Sequence, residues 1–407
     1  MGSSFSWLDY SEHERRKMLD VIHLFQEKDT RDELGIGTVR DAFADLLFPG
    51  TSTIQTRARY FLFVPWIYLG LERRKVASNT VGKKARDEET ALIEVLARSD
   101  DAQGTIGVVA RRNLKRLPSN IYWQGLGRWG IRIFPGSQDQ YHRSLDLFYS
   151  QSERQRKNDD GELVDGRGAR NWHPGLPPAP KDFPRNASLR LTAHEARYLR
   201  ERILTHVPQS MLAFLVDGGR LEASTEFPWA HPQLAEFPPH VREQLGHARN
   251  FSEVIHGAAL LYNLMLAEAA RQEDLIEEYR ERLREWASLL SPRRAELLGW
   301  DRRRFWEMVE LGNQRVKLPT RLFVDGWLGL TLSNTDAIDV AADKRARQLI
   351  HDRESQLKRG QARLDNIRAR ELWNEEAGTK QLSYRWPVAQ TIVRDILTAL
   401  SDEESHA

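Results

Sequence analysis

The chain has 407 residues, with 60 lysines and arginines against 58 aspartates and glutamates, so its formal charge of +2 singles out no class of partner. An apolar fraction of 40% is enough to bury the cores of about two to four compact units. The absence of cysteine excludes disulfide frameworks, thiolate nucleophiles, iron–sulfur clusters and cysteine-type zinc sites together.

The opening MGSSFSWLDYSEHERRK has no apolar stretch of the kind an export signal needs. MGSSFS fits the myristoylation pattern by letter, but no polybasic signal follows closely enough to turn one acyl chain into an anchor. Thr38 with Asp41, and Ser52 with Gln55 after the PGTST turn, predict two capped helices, the first running through Leu47. The second places Arg57 and Arg59 among Ile54, Ala58, Phe61, Leu62 and Val64. An arginine near a core needs a carboxylate, and Asp41 or Asp45 is the expected supply. The longest mostly apolar run, Ala58 to Leu71, contains Pro65 and falls short of the roughly 20 residues of a membrane span, so the sequence predicts a cytoplasmic protein without a membrane partner. VGKK at Val81–Lys84 lacks both the first glycine and the Ser/Thr of a P-loop.

Between Ala102 and Gln138 there is no acid, while Arg111, Arg112, Lys115, Arg116, Arg128 and Arg132 supply six positive charges. Asp87–Arg98 and Thr105–Leu114 read as helices. Ser119 is placed to cap a third, with Ile121, Leu126 and Trp129 on one side and Gly130 closing it, and IRIF reads as a short strand. That order, over about residues 86–136, is the order of a winged helix-turn-helix. In such a module Asn120, Tyr122, Gln124 and Arg128 would face bases or sugars, while the arginines and the lysine around them, Arg132 included, would hold phosphates. A protein-binding winged helix is the alternative. GLGRWG matches a dinucleotide fingerprint by letter, but a helix precedes it and a strand follows, the reverse of what pyrophosphate binding needs, so no cofactor is implied.

From Gln151 to Arg185 the chain carries five prolines, four glycines and the acids Asp159, Asp160, Glu162 and Asp165, a composition that predicts a linker or a long ordered loop. Those acids are the candidates for a metal-dependent nuclease, with a solvated turn as the plainer reading. His194 and Glu195 lack the second histidine of a zincin helix, because Tyr198 stands in its place, and no histidine pair has metal-ligand spacing. Trp172 with His173, and Trp229 with His231, are the aromatic pairs expected to reach solvent, where rings could stack on unpaired bases. Further on, residues 251–290 read as a helix that is buried at one end and amphipathic at the other. Residues 335–373 read as a second long helix with Lys344, Arg345, Arg347, Arg353, Lys358, Arg359, Arg363, Arg368 and Arg370 on its outer faces. A solvated face and a binding face both fit that row.

The string DELGIGTVRDAFADLLFPGTSTIQTRARYFLFVPWIY, the opening SFSWLDYSE, the later IYWQGLGRWGI and the closing YRW at Tyr384–Trp386 together resemble an uncharacterised bacterial family, a domain of unknown function, over nearly the whole chain. The resemblance implies a setting, since members are often encoded among DNA-processing genes in antiphage defence clusters, and it assigns no catalytic residue. The expectation is a mainly α-helical protein in three parts: residues 1–150 with the winged-helix-like unit, a connection at 151–186, and a helical bundle on two long helices at 187–407. Its expected function is a non-enzymatic DNA-binding or adaptor subunit of a defence complex, with DNA and protein partners. The alternatives are a scaffold that docks an ATPase, helicase or nuclease, and a nuclease whose carboxylates only the fold assembles.

Overall fold

In a computed structural model the described residues are 32–155, 170–221, 224–312, 315–333, 339–376 and 378–404. In chain order the helices are α1 (Gly37–Leu47), α2 (Tyr60–Arg73), α3 (Val81–Leu96), α4 (Pro118–Arg128), α5 (Gln138–Gln155), α6 (Ala193–His206), α7 (Met211–Gly218) and α8 (Pro239–Ala270). They are followed by α9 (Glu273–Leu290), α10 (Arg294–Leu298), α11 (Arg302–Leu311), α12 (Leu318–Ser333), α13 (Lys344–Lys358), α14 (Ile367–Arg370) and α15 (Trp386–Glu404). Among the described residues the only β pairing is one antiparallel bridge, Arg132 to Trp172. The protein is mainly helical, as the periodicity predicts.

The chain forms two compact units that interleave in sequence. One takes the chain up to Ala44 with Glu243–Tyr384, the other Asp45–Arg242 with Arg385–Ala407. This partition differs from the expected succession of 1–150, 151–186 and 187–407. The C-terminal helix α15 packs on α6, and its Asp395 accepts from Arg57 Nε at 2.9 Å, which places the last residues with the 45–242 unit.

In that unit α2 is the centre. Tyr60, Phe61, Leu62, Phe63, Val64, Trp66, Ile67 and Tyr68 are all buried, so the helix is apolar on every side because every side is covered. It begins later than the expected start near Ser52. The preceding backbone is satisfied without a helix: Thr56 N–H and Arg57 N–H donate to the Tyr122 hydroxyl at 2.9 and 3.2 Å, and Ser52 N–H donates to the Gln55 side chain. Trp129 stacks on Phe61 with ring centroids 3.9 Å apart and donates its indole N–H to the Pro49 carbonyl at 2.9 Å. Gly50 sits against that indole at φ +86, where a Cβ would run into the ring.

Arg59 is buried as expected, but its carboxylate is neither Asp41 nor Asp45. Glu195 of α6 accepts from Arg59 Nη2 at 2.8 Å, the Ser188 carbonyl accepts from Nη1 at 2.9 Å, and the guanidinium lies over the Phe63 and Trp66 rings. Asp41 pairs with its neighbour Arg40, and Asp45 pairs with Arg385. Glu195 also closes the capping box of α6 by accepting from Thr192 N–H at 2.9 Å, so the His194–Glu195 pair is part of a helix start. Thr38 lies inside α1, and Asp32 caps that helix by accepting from the Ile36 and Gly37 amides.

In the other unit the expected 251–290 helix is two helices. Arg271, at φ +58, breaks the chain between α8 and α9. The expected 335–373 helix is only α13, a turn at Arg359 (φ +51) and the short α14, with 334–338 outside the described residues. Its row of cations is largely turned inward. Arg353 donates to the Leu34 and Gly35 carbonyls, Arg370 to those of Arg363, Leu364 and Ala269, Arg347 pairs with Glu268, and Lys358 and Arg363 pair with Glu33. Glu354 is fully buried and accepts from Tyr262 Oη at 2.5 Å and from the Arg363 and Leu364 amides at 3.0 Å each.

Breaking a buried ion pair costs more than the pair is worth, because one charge is left unopposed out of water. Glu195→Gln is therefore expected to lower unfolding free energy by about 3 kcal/mol in urea denaturation. Arg59→Met with Glu195→Leu is expected to recover most of that loss, because no charge then remains buried. Additive losses in the double variant would contradict this account of the pair.

Candidate nucleic-acid interface

The acid-free segment 102–138 starts from a fixed base. Arg57 holds the loop before it, pairing with Asp101 at 3.0 Å and donating to the Gln103 carbonyl, while Thr56 Oγ1 donates to the Gly104 carbonyl at 2.6 Å. The expected helix at Thr105–Leu114 is absent. Residues 106–110 are turns, and only Arg111–Asn113 form a single 3₁₀ turn. The expected strand at 131–134 is reduced to the one bridge at Arg132. The helix-turn-helix order with a β wing is thus not formed: of its expected elements, the first helix lies mostly within the longer α3 and the third is α4.

What presents α4 is a buried carboxylate. Glu89, fully buried on α3, accepts from Ser119 N–H at 2.8 Å and from Ser119 Oγ at 2.7 Å, so it takes the place of a cap at the start of α4. Gln138 of α5 extends the network, donating to Ser119 Oγ at 2.8 Å and to Tyr68 Oη at 2.6 Å. The Tyr68 hydroxyl in turn lies 3.0 Å from His142 Nε2. Arg86, also on α3, donates to the Leu114 carbonyl at 3.0 Å and so fixes the backbone directly before Lys115. Burial pushes the Glu89 carboxyl up to about 7, against the Ser119 donations and the Arg86 charge that pull it down.

The nine residues expected to contact DNA separate into distinct groups. Tyr122 is fully buried, and its hydroxyl is spent on the Thr56 and Arg57 backbone. Arg132 is only 7% exposed. Its guanidinium lies over the Trp123 ring at 4.8 Å and donates to the carbonyls of Trp123, Phe134 and Gly136, and burial holds its pKa below the usual arginine range. Neither side chain is presented, and those two expectations are corrected. The Arg112 side chain lies outside what is described.

The other six are at the surface. On α4, Asn120, Gln124 and Arg128 fall four residues apart on the exposed side, opposite Tyr122, Trp123 and Leu126. Asn120 ties the helix start by accepting from Leu117 N–H at 3.0 Å and donating to Gln138 at 2.5 Å. Lys115 and Arg116 are exposed just before the helix. Lys115 and Arg128 form no ion pair among the described residues. Arg111 pairs with Glu94 at 3.1 Å, but Arg111 is exposed and Glu94 only partly buried, and such a solvent-accessible pair is worth at most about 1 kcal/mol, so a phosphate can compete for the guanidinium.

Lys83, within the string that fails as a P-loop, belongs to this surface. It stands exposed on the first turn of α3, and Arg86, three residues beyond it on the same side of the helix, reaches the carbonyl next to Lys115. The helical spacing of Lys83 to Arg86 is visible in the sequence, whereas the bond to Leu114 is not.

Of the aromatic pairs expected at the surface, Trp172 is buried and donates with Asn171 to Glu72, and His231 is buried as well. The acids Asp159, Asp160, Glu162 and Asp165 lie outside the described residues. Among the described residues no group of three or more histidine, aspartate or glutamate side chains is placed to hold a metal, and no helix is long and apolar enough to cross a membrane.

A family model described as "Family of unknown function (DUF6361)" matches residues 2–400. No curated protein and no solved structure matches the chain.

The Glu89 geometry sets a pH dependence. The carboxyl's folded value lies above its unfolded value near 4.5, so between these values the unfolded chain binds fewer protons than the folded one and stability falls as pH rises. The loss starts near the unfolded value, is complete above about 7, and amounts to about 3 kcal/mol. Glu89→Gln is expected to flatten this decline when urea unfolding is compared at about pH 5 and about pH 8. An unchanged slope in the variant would mean that Glu89 does not titrate in this window.

Proposed function

The chain belongs to that family of unknown function, and we propose that it is a DNA-binding subunit which grips the duplex backbone with the cationic face around α4 and positions it for other subunits. The carrying observation is the combination of Gln124 and Arg128 exposed along α4 with Lys115 and Arg116 exposed at its start and Lys83 exposed on the side of α3 that reaches Leu114. The contact is made by side chains. Glu89 already occupies the Ser119 amide, so the start of α4 offers phosphate neither that N–H nor an uncompensated dipole.

Each phosphate neutralised releases condensed counterions, so grip through several cations is strong at low salt and weakens steeply as salt rises. Backbone contacts fix register without reading sequence, and the two exposed amides, Asn120 and Gln124, leave little for base readout. The setting that fits is a bacterial antiphage defence complex, as the family resemblance implies, with protein partners supplying the chemistry on the held DNA. The scaffold reading keeps one observation of its own: of the large apolar side chains exposed among the described residues, eight lie in the unit containing Glu243–Tyr384 and three in the other.

Fluorescence anisotropy with a labelled duplex of about 20 base pairs tests the proposal. Wild-type protein is expected to bind at about 50 mM salt. Lys115→Glu with Arg128→Glu is expected to cost more than roughly tenfold in affinity and to lower the log–log salt slope by about 2. Tyr122→Phe is expected to leave binding unchanged because that ring faces the core. Absence of duplex binding at low salt, or indifference to the two charge reversals, would overturn the reading.

A further inference from the structure

We infer that the end of the α11–α12 pair is a docking surface for an acidic, leucine-bearing amphipathic helix of a partner protein. This deepens the partner half of the reading above and uses none of the residues assigned to DNA. Leu311, at the end of α11, and Leu318 and Leu322, one turn apart on α12, are 69%, 66% and 62% exposed. Their exposure is not a failure of packing elsewhere on the helix, because α12 buries Phe323, Val324, Trp327 and Leu328 on its opposite side.

The two helices are held in register at this end. Trp306 donates its indole N–H to Asp325 at 2.9 Å, the Arg321 guanidinium lies over the Trp306 ring at 5.0 Å, and Arg321 pairs with Glu310 at 3.6 Å. Leu311 and Leu322 each adjoin a member of that last pair, so they share one end of the helix pair with Leu318. A large apolar residue held in water on a rigid helix gains on the order of 2 kcal/mol when a partner covers it.

Charge selects the partner. Arg315 and Lys317 are exposed beside Leu318 in the chain and form no ion pair among the described residues, and the exposed Glu310 next to Leu311 is opposed by Arg321, so the border of the leucines is net positive. A second copy of the chain would bring the same charges against them. A DNA backbone would satisfy the cations and leave the leucines wet. A membrane would have to be held by three side chains, too small an apolar face for stable anchoring. An acidic helix with leucines at three- and four-residue steps satisfies both features at once.

The test uses the full chain and a labelled synthetic peptide of about 16 residues, roughly four turns, built from glutamate and alanine with leucines on one face. A saturable rise in anisotropy is expected. Leu318→Asp with Leu322→Asp, and separately Arg315→Glu with Lys317→Glu, should each weaken it at least roughly tenfold. Both pairs are at the surface, and either alone keeps the proposal falsifiable should the other fail to fold. A peptide with lysine in place of glutamate should not bind. Duplex binding should survive the leucine changes, and peptide binding should survive Lys115→Glu with Arg128→Glu, which keeps failure of one reading distinct from failure of the other.

No binding of the acidic peptide overturns the inference. Dimerisation in light scattering that the leucine changes abolish assigns the surface to a second copy instead. Sedimentation with phosphatidylserine vesicles that the same changes abolish, without peptide binding, assigns it to a membrane surface.

Discussion

A guanidinium or ammonium group withdrawn from water must bring acceptors with it, and this requirement governs how the protein uses its many cations. Arg59 is held by Glu195 and Ser188, Arg57 by Asp101 and Asp395, Arg353 by the Leu34 and Gly35 carbonyls, and Arg132 by three carbonyls and an indole face. Arg59, Arg57 and Arg353 each join segments far apart in sequence, whereas Arg132 ties the end of α4 to the turn that follows it. Arginine suits the task because its planar fork reaches several acceptors and keeps its charge when buried. The cations left in water are a smaller set than composition suggests, and they are the ones with electrostatic attraction to offer a partner.

The sequence made the helical class and the apolar core around α2 legible, because periodicity and a run of large side chains report burial directly. It also located α4. Pro118 and Ser119 mark its start, and Leu126 and Trp129 of the expected apolar side are fully buried. What it could not supply was the neighbour of each polar side chain. Six positive charges without a nearby acid describe the chain, whereas the surface depends on Glu94 arriving from α3 to meet Arg111 and on Trp123 covering Arg132. Tyr122 was misplaced for a related reason. A tyrosine on an amphipathic helix has both an apolar ring and a polar tip, and only the fold shows the tip spent on the Thr56 and Arg57 backbone.

The same limit applies to the row of cations from Lys344 to Arg370. As a helical face it would be a solvated stripe or a binding stripe. The chain instead turns at Arg359, and α13, the turn and α14 direct Arg353, Lys358, Arg363 and Arg370 onto carbonyls and carboxylates of their own unit. A left-handed turn at a non-glycine residue carries little sequence signal. One such position therefore turned much of a candidate interface inward, while Lys344, Arg345, Arg359 and Arg368 stay exposed. The expected partition of the chain failed similarly, because Asp395 meets Arg57 across most of the sequence.

The two surfaces that remain are complementary in chemistry. Around α4 the exposed groups are cations and amides with little apolar area, suited to a hydrated polyanion whose contacts exchange with salt. At the end of α11 and α12 the cations flank leucines, so charge can steer a partner while apolar burial holds it. On the two proposals, one compact unit would hold DNA and the other a partner. Beneath α4 the buried Arg59–Glu195 pair, the half-buried Arg57 with its two carboxylates and the Glu89 network supply rigidity, which is what the proposed positioning role requires.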